Sequence, residues 1–380
     1  MVGNGRTGAH LRPVDRRVLF PTHGNCFDRS REQTVKRLAV HFSSPIVAWL
    51  TFALAVAAFC TFGDSLAVYV AALILAWALW GTSLNIIWGY AGALSLAQMG
   101  FAAIGAFSVA VLCKDEQINF WLAVLVGMVL AVALSVVVGY VTLNLRGFAF
   151  AVMTLITSLL IVVLLTSWEP AGRTTGVVVA ASPGEITIGS WSLDLGSDKG
   201  LVILLAVANA VTLVLCGWLE RTRAGRFVVA LREDEPLAAS LGVHPLKYRV
   251  LAFMLSAAVA SLAGSLYALT LKFITPSLFS FHASVTLIAC VVLGGLGYRF
   301  GPLVGAAVYI GLTQWLHVGG DYSDALSGAL LIVIVLFAQM GILGLLKQGI
   351  DKLTGKQPAH QSDEKPTDEL ETQTGAMAHD

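Results

Sequence analysis

The sequence predicts an all-α, polytopic membrane protein with about ten transmembrane helices. Of its 380 residues, 57% are hydrophobic and only 12% are charged, and the mean hydropathy is +0.78. Such a composition is typical of a chain that crosses a bilayer many times. Apolar runs close to the ~20 residues that span a ~30 Å hydrocarbon core recur along the sequence. Basic residues fall mostly into alternate segments between these runs.

Ten apolar runs are interpreted as spans, and away from their ends none contains Asp, Glu, Lys or Arg. One of them is rich in glycine, and a re-entrant segment is the alternative interpretation there. Two neighbouring runs near the C-terminus are short. The glycine-rich run is 92–112, and the short pair is 284–298 and 301–318; the others are 46–62, 65–88, 120–143, 148–168, 200–219, 250–271 and 324–346.

Ten spans place both termini on one side, and the distribution of Lys and Arg indicates that this side is the cytoplasm. In that orientation 20 of the 24 basic residues lie inside. We predict a basic cytoplasmic N-terminal extension over 1–44 and a transmembrane domain over 45–347. The polar segment 348–380, which shows no apolar periodicity, is expected to be a disordered tail. The basic residues left outside are Lys114, Arg173, Lys199 and Lys272.

One polar interruption, residues 220–249, has the features of a structured cytoplasmic loop. Pro236 suits the first turn of a short helix and Gly242 suits its end, because glycine tolerates positive φ. Upstream, Phe227, Val228 and Leu231 form an apolar stripe at helical spacing. We interpret the loop as a docking surface; an ordinary solvated loop is the alternative. The outer loop 169–199 could form a small hairpin or a lid.

The absence of charge within the spans limits the possible functions. A proton-coupled carrier normally needs a titratable group at membrane depth. Sodium coupling through carbonyls and hydroxyls stays open, so a carrier or facilitator that works alone is the alternative to a transporter driven by a partner. A membrane enzyme or scaffold is a third possibility. Gly355-Lys356 lacks the glycine spacing of a P-loop, and the five scattered cysteines show no metal spacing. We therefore expect no cofactor, no metal site, no enzymatic activity in this chain and no nucleic-acid partner.

Neutral polar residues within the spans are candidates for a substrate pathway. Asn85 and Gln98 each carry an amide that needs several partners, and they flank the glycine-rich run 89–92. Broken helices that expose backbone groups can bind a zwitterion without charged side chains. Hydrogen bonding between helices is the alternative role. The candidate pathway residues are Asn85, Ser95, Gln98, Thr154 and Ser158.

Several stretches in order resemble the permease subunits of bacterial branched-chain amino acid ABC importers of the LivM type. They include the sequence LNIIWGYAG over 84–92, LSLAQ over 94–98, RAGR over 223–226, ALREDE over 230–235, LGV over 241–243 and VLGGLG over 292–297. Together they cover roughly residues 65–345. The resemblance is specific as a set, although each stretch alone is short.

The resemblance implies a multi-pass subunit in the bacterial inner membrane, in a complex with a second permease subunit. Two cytoplasmic ATP-binding subunits would drive transport, and a periplasmic solute-binding protein would deliver the solute. It also implies that 220–249 is the coupling loop. The residues it implies for ATPase coupling are Arg226, Arg232, Glu233, Asp234, Glu235 and Gly242.

Two departures from the family pattern leave the solute open. Many relatives carry an acidic residue near the middle of the segment 148–168, where this chain has Ile156-Thr157-Ser158. A Gly-Gly pair usually opens the next outer loop, where this chain has Arg173-Thr174-Thr175-Gly176. Branched-chain amino acids, urea, amides and other carboxylates therefore all remain candidates.

Overall fold

The computed structural model describes residues 64–115, 118–142, 147–188 and 191–317, most of which are helical. The predicted spans 46–62 and 324–346 lie outside the described residues, as do the predicted extension 1–44 and tail 348–380. The helices are α1 (Ser65–Leu84), α2 (Gln98–Asp115), α3 (Phe120–Thr142), α4 (Phe148–Ser167), α5 (Asp198–Arg221), α6 (Arg223–Glu233), α7 (Glu235–Ser240), α8 (Pro245–Leu271), α9 (Phe281–Gly294) and α10 (Gly301–His317).

Within the described residues, five helices are long and apolar enough to cross a membrane. They are 65–90, 120–142, 148–167, 198–221 and 245–271. Helices α2 and α9 are apolar but shorter. The all-α class is thus confirmed for this part of the chain, with minor strands between helices: β1 (Val177–Val178), β2 (Glu185–Ile188), β3 (Trp191–Asp194) and β4 (Phe273–Ile274).

The boundary predicted at residue 92 is wrong by six residues. Helix α1 continues as a π-helical turn over Asn85–Tyr90, and α2 begins only at Gln98. Gly92 has φ +74°, a left-handed conformation that ends the helical geometry. The residues between Gly92 and Gln98 therefore connect the two helices in non-helical conformations.

Helices α1, α2 and α8 form the centre of the bundle, while α3 and α4 lie at its edge. In the most apolar window of α1, 83% of residues are buried, against 33% in α3 and in α4. Trp80 of α1 is buried, and its indole N–H donates to the carbonyl of Ala260 in α8 at 3.3 Å. Its ring also packs against Tyr267, with centroids 4.6 Å apart. A helix that is apolar on all sides is expected at such a central position.

Small residues bring the backbones of α2 and α8 into contact. A Cβ atom on Gly105 would overlap the carbonyl of Ser261, and one on Gly264 would overlap the carbonyl of Ala102. Ser265 Oγ donates to the carbonyl of Gly105 at 3.0 Å. Packing of this kind, with small residues and interhelical hydrogen bonds, stabilises helix pairs in membranes.

The connecting segments meet in two groups, at opposite ends of the long helices. One group includes the outer loop predicted over 169–199: β1 pairs antiparallel with β4, placing Val177 opposite Ile274, and β2 pairs with β3 as a hairpin. The small hairpin expected in that loop is thus present. The other group brings together the π-turn, the coupling loop and the α9–α10 connection.

Candidate functional site

Residues 220–249, named the coupling loop hereafter, fold into two short helices that are each capped by a side chain. Thr222 Oγ1 accepts from the backbone N–H of Gly225 at 3.1 Å and so begins α6. Asp234 Oδ1 accepts from Leu237 N–H at 2.9 Å and begins α7. These are the hydrogen bonds expected of Thr and Asp at helix N-termini. Pro236 lies in the first turn of α7, as the sequence predicts.

A small apolar cluster holds the two short helices together. Leu231 of α6 is buried against Ala238 of α7 and Val243. Gly242, at φ +85°, reverses the chain so that Val243 can return to this cluster. Phe227 and Tyr248 close it from the side, with ring centroids 5.1 Å apart. The coupling loop is therefore an ordered unit, and the stripe predicted over 227–231 faces its core.

Within the coupling loop, a two-bond ion pair joins α7 to the start of α8. Both guanidinium Nη atoms of Arg249 donate to the carboxylate of Glu235, at 3.2 and 3.1 Å. The two side chains are only 17% and 21% exposed. Of the residues predicted for ATPase coupling, Glu235 is thus engaged within the chain, whereas Arg226, Glu233 and Asp234 are exposed.

At its other end the coupling loop is anchored by Glu220. One carboxylate oxygen accepts from the Tyr90 hydroxyl at 2.8 Å, and the other pairs with the guanidinium of Arg299. Burial alone would lower the pKa of Arg299, but its hydrogen bond to Glu220 and the charge of that carboxylate outweigh this effect, so the pKa is raised. Arg299 therefore remains a cation, and three segments distant in sequence meet at one carboxylate.

Arg232 contacts the same region of the bundle from α6. Its Nη1 atom donates to the carbonyl of Gly89, in the π-turn. Nearby, the side chain of Asn85 bridges to the α9–α10 connection: Oδ1 accepts from Gly297 N–H at 2.9 Å and Nδ2 donates to the carbonyl of Tyr298 at 3.1 Å. The π-turn is thus hydrogen-bonded to both the coupling loop and the α9–α10 connection.

The candidate pathway residues are all buried, and four of the five lie on or against the segment 95–100. Gln98 donates to Ser256 Oγ at 2.9 Å and accepts from Ser83 Oγ at 3.2 Å. Thr154 Oγ1 accepts from the N–H of Leu96 at 3.0 Å. These bonds are the helix-to-helix contacts that buried amides and hydroxyls require. Ser95 Oγ accepts from Ala97 N–H, and Ser158 packs against Gly100, whereas Asn85 lies apart in the π-turn.

Sequence reasoning missed the roles of Tyr90 and Arg299. A usable signal was present, because Glu220 and Arg299 are opposite charges beside spans that end on the same predicted side. The sequence gives no comparable signal for the contact between Arg232 and Gly89. This contact joins a side chain to a backbone carbonyl 143 positions away. Among the described residues, no group of three or more His, Cys, Asp or Glu side chains could hold a metal ion.

The coupling loop and its anchors all lie within a region that matches a known family. The family profile described as "Branched-chain amino acid transport system / permease component" matches residues 66–335. The chain belongs to this family. As a member of it, the chain is a transporter permease, and its apolar helices are those of a multi-pass membrane protein.

Among curated proteins, similar relatives are permeases from the same family. The high-affinity branched-chain amino acid transport system permease protein LivM of Escherichia coli is 29% identical over 77% of this chain and 73% of its own length. The permease protein LivH of the system of the same description in that organism is 31% identical over 37% of this chain and 46% of its own length. The permease protein BraD of Pseudomonas aeruginosa is 29% identical over 43% of this chain and 53% of its own length. No solved structure matches the chain.

Proposed function

We propose that this chain is a permease subunit of an ABC importer in the bacterial inner membrane, for branched-chain amino acids or a related small polar solute. In this proposal it forms the translocation path with a second permease subunit. Two cytoplasmic ATP-binding subunits supply the energy, and a periplasmic solute-binding protein delivers the solute. The observation that carries the proposal is the coupling loop, which is anchored to the bundle by charged side chains yet exposes its tip.

The comparisons support a pair of permeases. LivM and LivH of Escherichia coli are both named as permease proteins of a high-affinity branched-chain amino acid transport system, and both are similar to this chain. Two related permeases in one system are what a path between two homologous subunits requires. The exposed apolar faces of α3 and α4 offer surface for such a subunit or for lipid, since both helices keep many large hydrophobic side chains at the surface.

The exposed tip of the coupling loop fits a protein partner. Leu237 and Leu241 lie on and just after α7, and they are 54% and 77% exposed. Fully burying such a side chain contributes about 1.5–3 kcal/mol, so two adjacent leucines provide a favourable contact. The loop also exposes the charges of Arg226, Glu233 and Asp234, which would give the surface specificity. We propose that this tip docks in a groove of the ATP-binding subunit.

The transport mechanism follows from the absence of charge at membrane depth. ATP binding and hydrolysis on the partners favour one of two conformations of the permease pair, because the partners contact the coupling loop differently in each. The ten spans and the cytoplasmic termini are part of this proposal. They are supported by the alternation of connecting segments between the two ends of the bundle and by the basic residues at the inner end.

Orientation can be tested with a membrane-impermeant thiol reagent. Cysteine at position 241, from Leu241→Cys, should react in inside-out vesicles and be protected in right-side-out vesicles. Cysteine at position 169, from Glu169→Cys at the outer end, should show the opposite behaviour. Labelling of the unsubstituted protein corrects for its five native cysteines. Equal labelling of both positions from one side would contradict the orientation.

Reconstitution tests the function itself. The purified chain alone in vesicles should not concentrate leucine, isoleucine or valine against a gradient. With a second permease, ATP-binding subunits, solute-binding protein and ATP, uptake should become uphill. Uphill uptake by the chain alone would favour a carrier that works by itself, and no uptake of any of these amino acids by the complete assembly would exclude them as the solute.

The docking surface can be tested separately. Replacing Leu237 and Leu241 together with Ser should reduce co-purification of the ATP-binding subunit at least about tenfold, because two buried leucine contacts are lost. Val178→Ser is a matched control, since this exposed apolar residue lies at the outer end. Undiminished co-purification of the double variant would place the docking surface elsewhere.

A further inference from the structure

The guanidinium of Arg232 lies in a narrow slot lined by three glycines. Its Nη1 atom bonds to the carbonyl of Gly89. A Cβ atom on Gly92 would come within 3.0 Å of Arg232 Cγ, and one on Gly297 within 3.0 Å of Nη1. These distances are shorter than ordinary van der Waals contact, so a side chain at either position would require the arginine to shift by a few tenths of an ångström. Gly92 and Gly297 also have positive φ values of +74° and +79°.

The floor of the slot is fixed by Asn85. Its amide links the π-turn to Gly297 and Tyr298 through two hydrogen bonds. A Cβ atom on Gly89 would overlap Asn85 Oδ1, so glycine is needed at this position as well. The glycine-rich runs near residues 89–92 and 294–297 both contribute glycines to this slot. They let one arginine of the coupling loop reach the backbone of the bundle.

Two side chains of the coupling loop contact the same pair of segments. At the loop's start, Glu220 binds Tyr90 of the π-turn and Arg299 of the α9–α10 connection. Twelve positions later, Arg232 binds Gly89 of the π-turn and packs against Gly297 of the α9–α10 connection. Glu220 lies in the last turn of α5, whereas Arg232 belongs to α6. A displacement of α6 therefore has a direct route to the π-turn through Arg232, in addition to the route through the end of α5.

Arg232 is also placed to sense the partner side. It lies in the last turn of α6, directly before the exposed Glu233 and Asp234, and the residue as a whole is exposed although its guanidinium reaches the slot. Leu231 beside it is buried in the apolar cluster with Ala238 of α7. Movement of the loop tip therefore carries α6 and Arg232 with it. The π-turn is a suitable receiver, because π-helical turns are rare within α-helices and occur frequently at functional sites.

We infer that Arg232 is a positioning residue that transmits movement of the coupling loop to the π-turn and the α9–α10 connection, and that its main role is not adhesion to the ATP-binding subunit. This inference rests on the proposed function, because it assumes that an ATP-binding subunit moves the loop. In this scheme Leu237 and Leu241 bind the ATP-binding subunit, and Arg232 transmits the movement to the bundle. Substitution of Arg232 should then separate ATP hydrolysis from transport.

The experiment compares Arg232→Ala with Arg223→Ala, which removes an exposed arginine from the first turn of the same helix. Both variants are assembled into the complete transporter in vesicles, and amino acid uptake and ATP hydrolysis are measured together. For Arg232→Ala we expect co-purification of the ATP-binding subunit to be unchanged and uptake per ATP hydrolysed to fall about tenfold, a typical size for coupling between sites. Arg223→Ala should match the wild type. Arg232→Lys keeps a charged N–H donor but lacks the planar guanidinium group. It should therefore recover part of the lost uptake per ATP hydrolysed.

A second measurement remains informative if Arg232→Ala lowers the yield of complex. Hydrogen exchange of the backbone amides in 85–92 and 295–300 is followed with and without bound nucleotide. In the wild type the two conditions should differ in both segments, and in Arg232→Ala this difference should be lost. A purely structural role would change exchange equally under both conditions.

The outcomes separate this inference from the proposed function. If the wild-type chain neither co-purifies with an ATP-binding subunit nor supports ATP-driven uptake, the proposed function fails. If wild type is coupled but Arg232→Ala loses the ATP-binding subunit, Arg232 is a docking residue and the inference is wrong. It is also wrong if Arg232→Ala keeps the wild-type ratio of uptake to hydrolysis, or keeps the nucleotide-dependent exchange at the π-turn.

Discussion

The two ends of the helical bundle are held together by different means. At the inner end, connecting segments are joined by partly buried charged side chains, and Glu220 and Arg299 are 17% and 19% exposed. At the outer end, the segments are joined by backbone pairing between β1 and β4. An exposed ion pair also lies there, between Asp198 and Lys272, whose side chains are 65% and 67% exposed.

This difference separates a deformable end from a fixed one. Backbone pairing at the outer end depends little on which side chains are present, so single substitutions should change it slightly. The inner end depends on a few specific contacts, each of which one substitution can remove. This arrangement suits the proposed mechanism, in which the end that receives the movement changes its contacts between conformations.

The largest expected effect comes from Glu220→Gln. This change leaves Arg299 partly buried without its counter-ion and weakens the bond from Tyr90, so the free energy of unfolding should fall by about 3 kcal/mol. Denaturant titration in detergent measures it. Asp198→Asn, which removes the exposed pair at the outer end, is the control and should cost less than about 0.5 kcal/mol. Similar losses in both variants would abolish the distinction between the ends.

An intermediate effect is expected from Glu235→Gln. It removes the bidentate ion pair with Arg249. The free energy that holds α7 in its folded position should fall by about 1.5 kcal/mol, the typical value for a hydrogen bond to a charged group. Chymotrypsin should then cleave several-fold faster after Leu237 and Leu241. The control is Glu169→Gln, whose partner Arg173 is exposed at the outer end. Cleavage at the wild-type rate would mean that the apolar cluster alone holds the loop.

The smallest effect, and one of opposite sign, is expected at Lys272. This residue ends α8 with φ +59°, a conformation that glycine adopts with less strain. Lys272→Gly should raise the free energy of unfolding by roughly 0.5 kcal/mol, even though the exposed pair with Asp198 is lost. The same denaturant titration decides the sign. A clear loss of stability would show that the exposed pair with Asp198 stabilises the outer end by more than the strain at Lys272 costs. The contrast between the two ends would then be weaker than proposed.

Features of this chain that depend only on residues close in sequence, such as helix limits and apolar stripes, could be predicted from the sequence. Pro236 and Gly242 mark the limits of α7 because each fixes or permits a particular φ, and the stripe at Phe227 and Leu231 follows from helical spacing. The start of α2 was misplaced because hydrophobicity does not distinguish a wide helical turn and a connecting segment from continued helix. Gly92 carried the relevant signal, but its positive φ becomes visible only in the folded chain.

The contacts of the site depend on partners that are far apart in sequence, and this is why they could not be predicted. Asn85 was recognised as an amide in need of partners, but those partners, Gly297 and Tyr298, lie more than 200 positions away. Gln98 likewise finds Ser256 on α8. A role for either in a solute path stays a prediction, and so does the contact of Glu233 and Asp234 with an ATP-binding subunit.

The pairing of β1 with β4 constrains how α5 and α8 can move. Val177 lies opposite Ile274 and Val179 N–H donates to the carbonyl of Lys272 at 2.9 Å, so the stretch of chain that contains both helices and the coupling loop is closed on itself. Register in a strand pair changes only in whole residues, by steps of about 3.4 Å. Gradual sliding of α8 along its own axis is therefore resisted at the end where the strands pair, while tilting about that end is not. In the proposed mechanism, a push on the coupling loop would be converted into rotation of the two helices, with the greatest displacement at the end that carries the loop.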